Sequence, residues 1–514
     1  MGGAVVNPTA GSARPMSGSS TRALLVLGPA VAIATGIVLR VWPRPALWLD
    51  EAQSVAFARE SFGSIPTALR QDGAPPLYYL LLRAWTNVFG TGTTAVRALS
   101  AVISMGALAV LGAVAARLWG RRAAAAVLVI ASTSSFAIRY ASETRMYSLV
   151  TLEVAAGLWF VVRWVDRRRR GDLVALMVTV AALLYTHYWG LYLVITVVIV
   201  VAAVAATPGR RPVVVPIGAA LIAGCVLWLP WLPSFRFQSR HTATPWAQAA
   251  RLGDIVSATG LRTGWGSLAR SIVVVLLAGA VVVVLTMWSR RPRLMLPLVV
   301  VTVGCPLVAV VGGAVSDSAY TVRYTAVVFP IAMLVVGAAC STIRPVRLGA
   351  ALTIVVAVLS SAVAIHEIGV PRTTAPRVAA RLRLLVHAGD VLIYCPDQLA
   401  PAMSRVLAGD DAFDGVRQEV YPDGTPSRVD WIDYRSRYQQ ADPVAAVERY
   451  EAMAAQRTIW LIWSGTYPPT QGPCTELFDQ LRATRRDNRL IVTDDQSISD
   501  HESLWEFEMS PSPA

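Results

Sequence analysis

Lysine is absent from this 514-residue sequence, and charge of either sign is scarce. Charged residues make up 15% of the chain, where a soluble domain carries about a quarter. With 55% hydrophobic residues and a mean hydropathy of +0.52, most of the chain belongs in something other than water. All 46 basic residues are arginine and the net charge is +14, yet this does not point to nucleic acid. Residues 372–514 carry 15 Arg against 21 Asp and Glu, a net of −6, so the remainder carries +20 and the basic excess lies in the apolar part. No internal repeat stands out, which argues against a transporter built from duplicated halves. No glycine-rich phosphate loop follows the first strand-like run of the tail, so nothing there points to a nucleotide. Cysteines number five. Cys225, Cys305 and Cys340 lie in apolar runs as small core residues, while Cys395 and Cys474 lie in the polar tail, where a disulfide is permitted but not required by the spacing.

What is present is a series of apolar blocks of the length that crosses a hydrocarbon core as a helix. About eleven spans are expected, near 23–42, 96–116, 123–139, 146–165, 173–187, 190–206, 213–233, 269–288, 294–314, 325–340 and 348–368. Arginine clusters in RLWGRR (117–122), RWVDRRRR (163–170), TPGRRP (207–212), SRRPR (289–293) and IRPVR (343–347), on alternate loops. By the positive-inside rule this places the N-terminus in the cytoplasm and the C-terminus outside the cell membrane. The expected organisation is a disordered cytoplasmic tail (1–21), a transmembrane domain (22–371) with a long first outer loop (43–95), and an extracytoplasmic domain (372–514). A second outward region, 234–268, holds Trp246, Asp254 and Trp265. In the tail, DVLIYCP (390–396), TIWLIWSG (458–465), RLIVTDD (489–495) and SLWEFEM (503–509) read as strands. Helical patterns at 398–408, 443–456 and 474–484 separate them, and such alternation predicts an α/β layer with a mainly parallel sheet.

Five places on the outward side hold polar residues that an apolar chain would not keep idly. Asp50-Glu51, in ALWLDEAQSVAFAR, is a carboxylate pair at the membrane boundary. An N-cap with an acidic first turn explains one acid and leaves the pair less well explained. DGAPPLYYLLLRAW (72–85) sets Asp72 before Pro75-Pro76, either as a solvated cap or as part of a site. RYASETRMYSLV (139–150) gathers Arg139, Glu143, Arg145 and Tyr147, and two arginines in a short outer loop call for a phosphate or carboxylate partner. YTHYWGLY (185–192) sets His187 in an aromatic belt, and SAYTVRYTAVVFP (318–330) isolates Arg323 beside Tyr324. Arg40 is similar to Arg323, and either could simply snorkel. Acids, arginines, tyrosines and one histidine at several helix ends on one face are what a site for a phosphate-bearing lipid requires.

In this order, WLDEA, D-x-x-PPLYYLLLRAW, FG…RALSA, E-x-RMYSL, YTHY and a late RY, the sequence resembles the polyprenyl-phosphate-sugar-dependent glycosyltransferases of the GT-C fold. The nearest branch includes protein O-mannosyltransferases, the aminoarabinose transferases of lipid A and actinobacterial membrane mannosyltransferases. The resemblance covers roughly residues 35–335 and leaves the tail out. It implies that Asp50 acts as base, with Glu51 as second acid and Asp72 orienting acceptor or base. Ala74 stands where many relatives carry a histidine. A sugar on a polyprenyl phosphate has a good leaving group, so arginines that receive the phosphate can replace a general acid. Arg145, Arg323, Arg40, Tyr147, His187 and Tyr324 are the expected donor-phosphate or lipid ligands. The expected reaction is inverting transfer of a sugar, with mannose expected, from a polyprenyl-phosphate donor to a glycan, lipid or protein acceptor. No cofactor or metal is implied, although the paired acids leave a divalent cation open. The competing readings are a lipid or solute transporter and a membrane-anchored sensor whose tail binds a ligand.

Overall fold

The structure, a computed structural model, describes residues 18–42, 45–242, 292–316, 321–467 and 470–509. Helices cover ten of the eleven expected spans; the eleventh, 269–288, lies outside the described residues. So do Trp246, Asp254, Trp265 and residues 1–17 of the expected tail. In chain order the helices are α1 (Gly18–Val41), α2 (Leu49–Ala58), α3 (Ile65–Ala68), α4 (Leu77–Phe89), α5 (Thr93–Trp119), α6 (Arg121–Thr133), α7 (Ser135–Ala141), α8 (Tyr147–Arg167), α9 (Arg170–Thr186), α10 (Gly190–Ala205), α11 (Arg211–Trp228) and α12 (Leu232–His241). After the undescribed segment come α13 (Pro292–Ser316), α14 (Phe329–Thr342) and α15 (Val346–Gly369).

By length and hydropathy, five of the described helices can cross a membrane, or six when α6 and α7 count as one broken span. Those two helices meet at 60°. The break falls in the run Ser132-Thr133-Ser134-Ser135, where hydroxyls compete for backbone bonds: Thr133 donates to the Val129 carbonyl at 2.8 Å, and Ser134 is the cap of α7. Helices as short as α10 and α14 reach only about 21–24 Å at 1.5 Å per residue, short of a full hydrocarbon core. Small residues bring helices close. A Cβ on Gly36 would collide with the Ser132 carbonyl, so α1 can lie directly against α6.

In the first loop the apolar residues of 50–71 recur at three and four, and the stretch is helical in separate pieces. Helix α2 ends at Ala58, and Pro66 starts the short α3. After Pro75-Pro76, α4 runs from Leu77 to a stop at Gly90, whose φ is 77°.

The C-terminal part is a five-stranded sheet in the order β2-β1-β3-β5-β4, with β1 Val391–Cys395, β2 Arg417–Val420, β3 Ile459–Trp463, β4 Asp487–Val492 and β5 Ser503–Glu508. The sheet is mixed, which corrects the expectation of a mainly parallel one. β1 runs parallel to β2 and β3, while β5 runs antiparallel to both β3 and β4. The edge strand β2 escaped the sequence reading because RQEV is short, polar and half-exposed. The central strands β1 and β3 are apolar on both faces, as sheets covered on both sides require. Val391, Ile393 and Cys395 face one core, and Leu392 and Tyr394 face the other. Cys395 and Cys474 are joined, with 5.6 Å between their Cα atoms, which ties β1 to the helix Gln471–Thr484.

Candidate active site

Trp48 is the N-cap of α2 and its side chain makes no capping bond. Asp50 therefore lies inside the first turn and is not the cap. Its Oδ2 accepts a hydrogen bond from Arg323 Nη1 at 2.7 Å and lies 3.9 Å from Arg145 Nε. Arg145 stands in the turn between α7 and α8, and Arg323 in a 3-10 turn ahead of α14, so three separate parts of the chain meet at this carboxylate. All three side chains are at least four-fifths withdrawn from solvent. Two arginines beside one carboxylate in a low-dielectric place suit a ligand that brings negative charge.

The network continues away from Asp50. Arg145 Nη1 donates to Ser54 Oγ and to the Tyr79 hydroxyl, each at 3.3 Å. The Tyr79 hydroxyl donates to Asp72 Oδ2 at 2.9 Å, and Gln53 Nε2 donates to Asp72 Oδ1. Burial raises the Asp72 carboxyl above its usual range, against the pull of Arg145 and the Tyr79 hydrogen bond. Asp72 is held in place from two sides. Gln238 of α12 donates to the Leu69 carbonyl at 2.8 Å and to the Ala74 carbonyl at 3.3 Å. Next to Asp72, Gly73 takes φ 76°, and a Cβ there would meet Thr242 Oγ1 at 2.6 Å.

Glu51 is placed differently from its neighbour. Its side chain is fully buried; both oxygens accept from Arg97, at 2.7 and 2.6 Å, and Oε1 also accepts from the Thr144 amide at 2.9 Å. Burial alone would raise this carboxyl, but the Arg97 guanidinium outweighs it and holds it below the usual range. With no exposed surface and three hydrogen bonds, Glu51 ties the Arg145 turn to α2. The residue expected as a second catalytic acid thus sits in a buried pair with Arg97. Arg40 is likewise elsewhere. Its guanidinium donates to Ser104 Oγ and to the carbonyls of Gly36, Ser132 and Ala131, which engages four of its five N–H groups and joins α1 to α5 and α6.

Tyr147, His187 and Tyr324 do come together, beside Arg323. His187 packs against both tyrosines, at 5.8 and 5.1 Å between ring centroids, and Arg323 lies 5.7 Å from the Tyr324 ring centre. The Trp189 amide donates to His187 Nδ1 at 3.1 Å, which fixes the ring. Gln53, Ser54, Tyr79 and Arg97 were missed as site residues. Tyr79 and Arg97 stand inside motifs that the sequence displays, and Gln53 and Ser54 follow Asp50 by three and four residues, the helical spacing that shares a face. Among the described residues, no three His, Cys, Asp or Glu side chains are grouped to hold a metal ion.

The C-terminal domain sits on this loop. The Val429 amide donates to Gln53 Oε1 at 3.0 Å, the Trp431 amide to the Gln71 carbonyl at 2.9 Å, and the Leu49 amide at the head of α2 to Asp500 Oδ2 at 3.2 Å. Arg372 pairs with the buried Glu143 at 3.0 Å and Arg428 with Glu60 at 2.7 Å.

A helical bundle with a long first loop carrying the acid, and a small α/β domain over that loop, can be compared with solved structures. The apo structure of ArnT from Cupriavidus metallidurans aligns over 95% of this chain and 98% of its own, with a TM-score of 0.63 and 15% identity. The ArnT structure bound to undecaprenyl phosphate aligns over 94% and 97%, with a TM-score of 0.62 and 14% identity. The chain has the GT-C glycosyltransferase fold. A family model described as dolichyl-phosphate-mannose-protein mannosyltransferase matches residues 73–233, about a third of the chain, from Gly73 into α12. No curated protein matches significantly by sequence. Within the GT-C fold the Asp50–Arg145–Arg323 cluster lies on the side of the bundle that carries the C-terminal domain, and the chain is a multi-pass membrane protein.

Proposed function

We propose that this chain transfers a sugar from a polyprenyl-phosphate donor to an acceptor hydroxyl by a single inverting displacement, with mannose as the sugar. The observation that carries this reading is Asp50 held by Arg323 and flanked by Arg145 at the loop end of a GT-C bundle. The undecaprenyl phosphate bound in the C. metallidurans ArnT structure supports a donor of that class, and the family match supports mannose. Orientation follows the arginine loops: N-terminus cytoplasmic, site and C-terminal domain outside.

Donor phosphate competes with Asp50 for the two guanidiniums. As the arginines turn to the phosphate, the carboxylate is freed to accept a proton from the acceptor hydroxyl. The acceptor oxygen attacks the anomeric carbon, the bond from that carbon to the phosphate oxygen breaks, and the phosphate leaves with the electron pair, held by Arg145 and Arg323. Tyr147, His187 and Tyr324 form an apolar wall beside Arg323 against which the first lipid units lie. Asp72, with its carboxyl raised, orients the acceptor hydroxyl through a hydrogen bond. Glu51 is committed to Arg97, so we propose that no metal takes part; transfer in excess chelator at the untreated rate is the expected result.

The test is transfer of radiolabelled mannose from polyprenyl-phosphate-mannose by purified protein, wild type beside Asp50→Asn. Loss of transfer by about 10²–10⁴-fold in a folded variant is expected of a general base. Transfer that survives moves the base to Asp72. No transfer from any polyprenyl-phosphate sugar, across acceptor classes, sinks the enzyme reading.

A further inference from the structure

Helix α2 presents two different faces. Asp50 and Ser54 look toward the arginine cluster, while Ala52, Val55, Ala56 and Arg59 line a cleft on the other side. The cleft has a volume of about 630 Å³, within the roughly 300–1,000 Å³ usual for small-molecule sites. Its far wall belongs to the C-terminal domain, with Ser404 and Arg405 of the helix Ala400–Leu407 and Gln418 of β2.

Two arginines, one from each side of the cleft, converge on Thr91. Arg405 donates to the Thr91 carbonyl, and Arg59 lies 3.5 Å from its hydroxyl. Among the described residues no acidic side chain lines the cleft. The acids nearby are engaged elsewhere: Glu60 by Arg428, Glu51 by Arg97 and Asp410 by Arg383. Among the described residues neither Arg59 nor Arg405 forms an ion pair. Burial, and then the like charge of Arg59, hold the Arg405 guanidinium below its usual range. Two cations facing each other across a partly dehydrated cleft are unfavourable until an anion lies between them.

We infer that this cleft is a second anion site, separate from the donor-phosphate arginines, which takes a phosphate or carboxylate group of the acceptor. Only the word acceptor rests on the glycosyltransferase reading; anion binding does not. The site lies about 10 Å from Asp50, one helix diameter, so the charged group sits on a part of the acceptor other than the reacting hydroxyl. Because its walls come from both parts of the molecule, occupancy holds the C-terminal domain onto α2.

Titration calorimetry on the full-length protein without donor tests this, with inorganic phosphate and glucuronate as separate probes. At least one is expected to bind an Arg323→Gln protein, in which the donor-phosphate arginines are weakened, and to bind tenfold or more weakly once Arg59→Gln or Arg405→Gln is added. Phosphate alone binding assigns a phosphate-bearing acceptor; glucuronate binding assigns a carboxylate-bearing one. Binding that weakens only in Arg323→Gln, binding unchanged in both cleft variants, or no binding of either probe overturns the site. Arg59 is exposed, so Arg59→Gln folds normally and decides the matter if Arg405→Gln does not. A protein that transfers no polyprenyl-phosphate sugar to any acceptor class but binds the anion in the cleft would refute the enzyme reading and leave this one standing.

Discussion

Adjacent residues, Asp50 and Glu51, show how far apart the roles of two like side chains can be. One turn of α2 sends Asp50 to two arginines and a ligand space, and Glu51 into a sealed pair with Arg97. Their variants should therefore fail in different ways. Asp50→Asn is expected to keep its thermal midpoint and lose transfer. Glu51→Ala leaves Arg97 buried and uncompensated and is expected to lose about 3–5 kcal/mol of stability, read as a lowered midpoint. A Glu51→Ala protein that melts like wild type yet has lost transfer would return Glu51 to catalysis. Arg323→Gln separates binding from chemistry: a raised KM for the donor is expected together with a lowered kcat, because the phosphate charge grows as the bond breaks.

At the scale of elements, α2 depends on a residue far along the chain. Trp48 cannot cap it, and Asp500 supplies the acceptor for the Leu49 amide instead. Asp500 is buried, with Glu502 nearby and Asp50 adding further negative charge, and its carboxyl is pushed up to about 7, first by burial. Asp494 and its partner His501, 2.7 Å apart, complete the charged surroundings. A folded-state value raised from the ordinary 3.8 means that stability from this group is full below about pH 4 and is lost as pH rises through about 7. The thermal midpoint of the wild type is expected to fall between about pH 4 and 7, and Asp500→Asn, which keeps an acceptor for Leu49 without the charge, is expected to flatten that fall. An unchanged pH profile in Asp500→Asn would place the dependence elsewhere.

For the whole molecule, the C-terminal domain completes the first loop: it holds the head of α2, Gln53, Gln71 and Glu143. Removing 372–514 is expected to abolish transfer even though Asp50, Arg145 and Arg323 all remain. Normal donor turnover and acceptor choice by the truncated chain would show that the domain has no part in the site. The disulfide acts within that domain, closing a loop of 79 residues, and its loss is expected to cost about 2–5 kcal/mol of the domain's stability on reduction or in Cys474→Ser.

Local physics made much of this molecule legible in advance. Apolar runs of membrane length become helices because a buried backbone has few other ways to satisfy itself, so ten of those runs could be read one at a time as helical. The arginine-rich loops, the strands VLIYC and IWLIW, and the ordered motifs holding Asp50, Asp72, Arg145 and Arg323 were visible for the same reason, since each is a pattern within a short window. The sheet's mixed direction, the diversion of Glu51 and Arg40 from the site, and the capping of α2 by Asp500 were not visible. Asp50 meets Arg323 across 273 residues and Leu49 meets Asp500 across 451. An ion pair or a cap between such distant residues leaves no periodicity in the sequence, because only the packed fold decides which charge finds which partner.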